Sequence, residues 1–158
     1  MSKQLIIYTD GAARGNPGPG GYGVVLQWGN TIKELSQGYR LTTNNRMELM
    51  AVIVALKSLT RDGVDAVVYT DSSYVVNAVE KRWVFDWVKK GFKDKKNADL
   101  WQEFLVYYKK HRVKFVWVKG HADNPGNNRC DQLATAAADS GKWLVDTGYE
   151  REKNGGIF

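Results

Sequence analysis

The sequence predicts an α/β protein with a mixed sheet, because two near-identical strands, a hairpin and several helical segments follow one another. Residues 5–10 and 66–71 are short apolar, β-branched runs that each end on an aspartate, as buried parallel strands do. Adjacent strands lie ~4.8 Å apart, and paired catalytic metal ions lie ~3.5–4 Å apart. If these strands are parallel neighbours, Asp10 and Asp71 can share a metal. The alternative is that each aspartate merely ends its strand and caps the next segment.

The composition suits one globular domain. The chain has 158 residues, of which 43% are hydrophobic and 25% charged. We expect a domain over residues 1–149 and a mobile tail over 150–158. No apolar run approaches the ~20 residues of a membrane span, and the apolar stretch near residue 5 is too short for a signal peptide. The single cysteine, Cys130, cannot form an internal disulfide, which favours a reducing cytoplasm. Nothing in the sequence demands more than a monomer.

The excess positive charge is concentrated in one segment. The formal net charge is +6, with a pI near 9.4, and residues 81–97 carry seven cations against two aspartates. Trp83, Phe85, Trp87 and Phe92 lie between these cations, a pattern that suits a nucleic-acid surface. The alternative is an amphipathic helix with aromatics in the core and solvated lysines. We expect Trp87 to pack and Trp83 to lie nearer the ligand.

The first half of the chain contains a glycine-rich loop, a hairpin and a helix. Residues 11–21 are predicted to form a loop, which lacks the Lys-Ser/Thr of a P-loop. Nucleotide cofactor binding is therefore disfavoured, whereas close approach to a nucleic-acid groove or a plain connector remains open. Residues 22–28 and 31–41 read as strands joined at Gly29-Asn30. A helix is predicted over about 46–59, and Glu48 in its first turn is either a site carboxylate or part of a cap with Asn45.

The second half adds more residues to the same sheet edge. A strand–helix–strand crossover is nearly always right-handed, which allows residues 66–71 to lie parallel beside residues 5–10. Ligands gather at the carboxyl ends of such strands. A short helix is predicted over 73–80, a helix over 100–111 and a strand over 113–118, with Trp101 and Trp117 in the core. His121 follows that strand, and Asp131 lies in a helix predicted over 128–138. The alternative for His121 is that it is an ordinary loop histidine. The alternative for Asp131 is that it is a carboxylate favoured by the helix dipole.

Several long motifs, in one order, carry a family resemblance. They lie at residues 8–11, 15–23, 42–49, 69–72, 117–121, 127–131 and 146–149. Through them the chain resembles the bacterial ribonuclease HI enzymes of the type 1 ribonuclease H family over about residues 3–149. The resemblance implies a five-stranded mixed sheet with helices on both faces.

The implied activity is hydrolysis of the RNA strand of RNA–DNA hybrids by two Mg²⁺ ions, with Mn²⁺ as a substitute, leaving 5′-phosphate and 3′-hydroxyl ends. Mg²⁺ prefers hard oxygen ligands, and no small-molecule cofactor is implied. The resemblance makes Asp10, Glu48, Asp71 and Asp131 the metal ligands. It makes His121 a mobile histidine that assists proton transfer or product release.

The substrate contacts implied by the resemblance lie in three groups. Minor-groove contacts fall at Gly11, Asn16, Asn44, Asn45 and Met47. Thr43 and Asn97 occupy positions that bind a DNA-strand phosphate in the family. The remaining expected contacts are Ser72 and the residues of the basic protrusion, Trp83, Lys89 and Lys90.

The sequence also departs from the family pattern. Leu41 stands where an arginine often binds that phosphate, and neighbouring Arg40 should point to the opposite face of its strand. Ser73 replaces a frequent glutamine, and the protrusion is a few residues short. Two other functions stay open: a related metal-dependent DNA nuclease or strand-transfer enzyme, and a non-catalytic hybrid-binding module.

Overall fold

The computed structural model describes residues 3–119 and 124–153. In the described ranges, no helix has both the length and the apolar character needed to cross a membrane. The elements in chain order are β1 (Leu5–Ala13), β2 (Gly18–Trp28), β3 (Thr31–Thr42), α1 (Asn44–Lys57), β4 (Asp65–Thr70), α2 (Ser73–Glu80), α3 (Trp83–Lys89), α4 (Ala98–Tyr108), β5 (Arg112–Trp117), α5 (Pro125–Asp139), β6 (Trp143–Leu144) and α6 (Thr147–Lys153).

The strands form one mixed sheet in the order β5-β4-β1-β2-β3-β6. Strand β1 pairs antiparallel with β2 and parallel with β4, in a register that runs from Leu5–Ala66 to Tyr8–Tyr69. The predicted parallel pair is therefore confirmed, and each aspartate lies two residues beyond the last pair. The sheet has six strands rather than five because the two-residue β6 pairs with β3. An element that short carries no periodicity.

Helices pack on both faces of the sheet, and glycines let them approach closely. A Cβ on Gly21 or Gly23 would lie 2.6 or 2.3 Å from a carbonyl oxygen of α5, whereas one on Gly20 would lie 3.2 Å from Met47 of α1. Alternate residues of a strand point to opposite faces, so α1 and α5 cover different sides. The prediction of a loop over residues 11–21 is wrong, because β1 and β2 take most of that segment.

The aromatic core follows the sequence expectation with one exception. Trp101 and Phe104 are fully buried, and Trp87 packs edge-to-face on Trp101 with ring centres 5.8 Å apart. Trp117 was expected in the core but is 53% exposed, because it lies on the edge strand β5. Its indole N–H donates to the main-chain carbonyl of Asp71 at 3.1 Å.

The carboxyl-terminal segment is ordered by specific contacts. The Asp146 side chain accepts a hydrogen bond from the backbone N–H of Tyr149 at 3.2 Å, which caps α6. Glu150 accepts two hydrogen bonds from the Arg40 guanidinium, at 2.8 and 2.7 Å. Residues 150–153 of the expected tail thus form the end of α6, and residues 154–158 lie outside the described ranges.

A buried ion-pair network ties this segment to the start of α1. The Arg46 side chain is 1% exposed and pairs with Asp146 at 2.8 Å and with Asp99 at 2.7 Å. Thr42 donates a further hydrogen bond to Asp146 at 2.7 Å. A buried charge is costly unless it is paired and hydrogen-bonded, so these contacts hold α1, α4 and α6 in one arrangement.

Candidate active site

Three carboxylates from distant parts of the chain meet at one edge of the sheet. Asp10 lies in β1, Glu48 in α1 and Asp71 directly after β4, and one oxygen of each lies within 4.8 Å of the others. The parallel register aligns the two aspartates. Gly11 admits the start of α1, since a Cβ there would lie 2.4 Å from the backbone nitrogen of Glu48. The predicted convergence of these three groups is present.

The fourth predicted ligand stands slightly apart. Asp131, on α5, lines the same cavity of about 380 Å³ as Asp10, Glu48 and Asp71. Among the described residues, however, the tight cluster contains only the other three carboxylates. Asp131 is exposed, so it borders the site from the solvent side.

The capping explanation for Glu48 and the helix-dipole explanation for Asp131 do not hold. Helix α1 is capped by Thr43, whose hydroxyl accepts from the Arg46 N–H at 3.2 Å, and its first turn contains no acidic residue. Helix α5 begins at Pro125 and is capped by Asn124, so Asp131 also lies beyond the first turn. Neither carboxylate is placed to complement the amino end of its helix.

The electrostatics of the cluster favour a bound cation. Glu48 is 9% exposed, and its Oε1 atom has no hydrogen-bond partner in the described part of the chain. Burial raises the pKa of Glu48 well above its ordinary value, and the charges of Asp10 and Asp71 raise it further. Burial also raises the pKa of Asp10 to about 7, with a contribution from Asp71. Oxygen ligands with uncompensated charge are what Mg²⁺ or Ca²⁺ requires, so the residues present fit a divalent metal.

Four predicted substrate residues surround the carboxylate cavity. Gly11, Asn44, Asn45 and Ser72 all line it. The Asn44 side chain accepts from the Ala13 N–H at 2.6 Å, and the Asn44 N–H donates to the side chain of Asn16 at 3.0 Å. These bonds tie the turn between β1 and β2 to the start of α1, beside the carboxylates.

A second cavity adjoins the first. It encloses about 480 Å³ and shares Asn45 with the carboxylate cavity. Asn97 accepts from Arg46 at 3.4 Å and donates to the Tyr74 hydroxyl at 3.0 Å, so its amide is held in place. The residues that line this cavity are Asn16, Pro17, Thr43, Asn45, Lys96, Asn97, Tyr149, Glu152 and Lys153.

Other predicted contacts lie elsewhere. Met47 is fully buried, because it lies on the core side of α1 near Gly20. A contact of Met47 with the hybrid therefore stays a prediction, and its buried side chain restricts such a contact to the main chain. Trp83 is 45% exposed on α3, while Lys89 and Lys90 are exposed at the end of that helix. His121 lies outside the described residues.

Sequence reasoning missed the site residues contributed by α6 and by the start of α2. Tyr74 lines the carboxylate cavity, and Tyr149, Glu152 and Lys153 line the second cavity. A signal for α6 was present, because Asp146-Thr147 stand shortly before Glu150, an arrangement typical of a helix start.

Comparison with known proteins agrees with this geometry. A family model described as RNase H matches residues 2–139. A ribonuclease H of Pectobacterium carotovorum is 53% identical over 157 residues, covering 96% of this chain and 100% of the relative. A ribonuclease HI of Vibrio vulnificus is 51% identical, covering 95% and 98%.

Solved structures give the same result. LC9-RNase H1, described as a type 1 RNase H with the type 2 active-site motif, superposes with a TM-score of 0.78 at 33% identity, covering 96% of this chain and 81% of that one. LC11-RNase H1, solved in complex with an RNA/DNA hybrid, gives 0.64 at 31% identity, covering 87% and 98%. Fold, carboxylate cluster and near full-length similarity together establish that this protein belongs to the ribonuclease H family of hydrolases.

Proposed function

We propose that the protein hydrolyses the RNA strand of RNA–DNA hybrids with two Mg²⁺ ions held by Asp10, Glu48, Asp71 and Asp131. The observation that carries this proposal is the meeting of three carboxylates from distant segments within 4.8 Å. Family membership supports the reaction class. The hybrid in the complex of the related LC11-RNase H1 supports the substrate.

The metal ions would supply charge neutralisation at phosphorus, a lower pKa for the attacking water and stabilisation of the departing 3′-oxygen. Water attack of this kind leaves 5′-phosphate and 3′-hydroxyl ends. The protein's own contribution is to hold the proposed metal-binding carboxylates at the sheet edge. Asp10 and Asp71 are fixed there by the parallel register, and Glu48 is fixed by the approach of α1 to Gly11.

Recognition of the RNA strand depends on its 2′-hydroxyl, which is what distinguishes RNA from DNA at a given site. We assign this role to Glu48, together with the main chain around Gly11, since both line the carboxylate cavity. The turn held by Asn16 and Asn44 would lie in the minor groove. His121, which follows β5 by four positions in the sequence, is proposed to assist proton transfer or product release.

Recognition of the DNA strand would use two separate features. Thr43 and Asn97 line the second cavity and would bind a phosphate of that strand. Trp83 is exposed on α3, and the Lys81 ammonium lies 5.4 Å from its ring centre. We propose that this ring packs on a deoxyribose, where a 2′-hydroxyl would clash.

Cleavage of matched duplexes tests the proposal. RNA–DNA, DNA–DNA and RNA–RNA duplexes of one sequence, each 5′-labelled, are incubated with the protein with and without Mg²⁺. We expect cuts only in the RNA strand of the hybrid, only with metal, and with 5′-phosphate on the downstream product. Cleavage of the DNA duplex would favour a DNA nuclease or strand-transfer enzyme. Hybrid binding with no cleavage would favour a binding module.

A further inference from the structure

The second cavity contains two lysines that have no role in the proposed function. Lys96 and Lys153 both line it, together with the polar side chains of Thr43 and Asn97. Neither lysine forms an ion pair with a carboxylate in the described part of the chain. Hydroxyl and amide groups beside ammonium groups that form no ion pair make a typical phosphate site.

Strand β3 supplies no cation to this cavity. Leu41 is apolar, and the guanidinium of its neighbour Arg40 is held by Glu150 at 2.8 and 2.7 Å. That ion pair has a second effect, because it fixes α6 against β3. Asp146 caps the start of α6 and also pairs with buried Arg46. These contacts fix the first turn of α6. Helix α6 therefore brings its last residue, Lys153, to the cavity in a defined place.

We propose that Lys153 is a substrate-binding residue, whose ammonium binds a backbone phosphate of the hybrid in the second cavity. The inference rests on the proposed function and assigns α6 to the substrate-binding surface. A phosphate there belongs to the same bound duplex as the reacting one, since Asn45 lines both cavities. Lys153 thus supplies the charge that β3 lacks.

Acidic groups near Lys153 modulate this site. Glu152 lines the cavity and repels a phosphate, so its removal should strengthen binding. Glu150 lies one turn before Lys153, where the lysine charge helps to lower the glutamate pKa after the larger effect of Arg40. Because Glu150 bonds to Arg40 through both oxygens, Lys153 remains available to a ligand.

The test compares Lys153→Gln with Lys153→Arg, Glu152→Gln and the control Lys142→Gln. Lys142 is an exposed lysine that lines neither cavity. Hybrid affinity is measured by anisotropy at several salt concentrations without Mg²⁺, and kcat and KM are measured with Mg²⁺. Loss of one phosphate contact should weaken binding about three- to tenfold at low salt and lower the salt-dependence slope by about 1. We expect kcat to stay unchanged.

The remaining variants make the outcome decisive. Lys153→Arg should retain most of the affinity, Glu152→Gln should bind more tightly than the parent, and Lys142→Gln should match the parent. If Lys153→Gln keeps the parent's KM and salt slope, or if only kcat falls, the inference is wrong. A parent protein that fails to cleave the hybrid would instead refute the proposed function, so the two failures are distinguishable.

Discussion

Replacing Asp10 by asparagine should stabilise the metal-free protein while abolishing cleavage. The folded environment raises the pKa of Asp10 from 3.8 to about 7, so the folded state holds this proton more tightly than the unfolded state. The stabilisation of the folded state by this proton is fully present below pH 4 and is lost as the pH rises through 7. One unit of pKa corresponds to 1.36 kcal/mol. The free energy of unfolding that the parent loses above pH 7 through Asp10 is therefore at most about 4 kcal/mol. Because Asp10 titrates together with Glu48, we expect a gain of about 1–3 kcal/mol for the variant at pH 8.

Urea unfolding at pH 4 and pH 8, with a chelator present, measures this effect. The advantage of the variant should be present at pH 8 and nearly absent at pH 4. Adding Mg²⁺ should stabilise the parent more than the variant, because only the parent retains all the ligands. Asp139→Asn is the matched control, since that aspartate forms an exposed ion pair with Arg14 and its loss should change little. A less stable Asp10→Asn protein at pH 8 would show that Asp10 has a structural role and would refute the reasoning.

Three further changes probe other parts of the structure. Asp146→Ala should lower the free energy of unfolding by about 3–5 kcal/mol, because the buried Arg46 guanidinium loses a partner; a urea-measured loss under about 1 kcal/mol would contradict this. Gly11→Ala places a methyl group against the backbone of Glu48 and should weaken Mg²⁺ affinity about 10–100-fold. An unchanged Mg²⁺ affinity in calorimetric titration would show that α1 can move to accommodate the methyl group. Trp83→Ala should weaken hybrid binding in an anisotropy assay and leave Mg²⁺ binding intact, since the ring lines neither cavity; parallel loss of both would argue against its assigned contact.

The carboxylate cluster was predictable from the sequence for a local reason. The repeated runs at residues 5–10 and 66–71 differ from their surroundings in composition, and a right-handed crossover allows them to lie parallel, which places their aspartates side by side. The role of Glu48 was ambiguous in the sequence, because a glutamate near a helix start is favoured for two unrelated reasons. The cap at Thr43 removes the capping interpretation of Glu48, and its site role stays a prediction.

Features that depend on distant partners were not predictable. Helix α6 has a start signal at Asp146 but is too short to be marked by periodicity. Its partner was not visible, because Glu150 meets Arg40 across 110 positions. Trp117 reads as a core residue because an alternating strand pattern does not say which strand is at the edge. The glycines between residues 11 and 23 indicate close approach, but the partners, helices α1 and α5, are set by the tertiary fold.

The Arg46 network has a consequence for biosynthesis. A ribosome makes Arg46 one hundred positions before Asp146, so during synthesis the guanidinium has no access to its most buried counter-charge. Until that aspartate emerges, burial of the arginine remains unfavourable and the start of α1 is not locked. The start of α1, which also carries Glu48, therefore gains this buried ion pair only after residue 146 has been made.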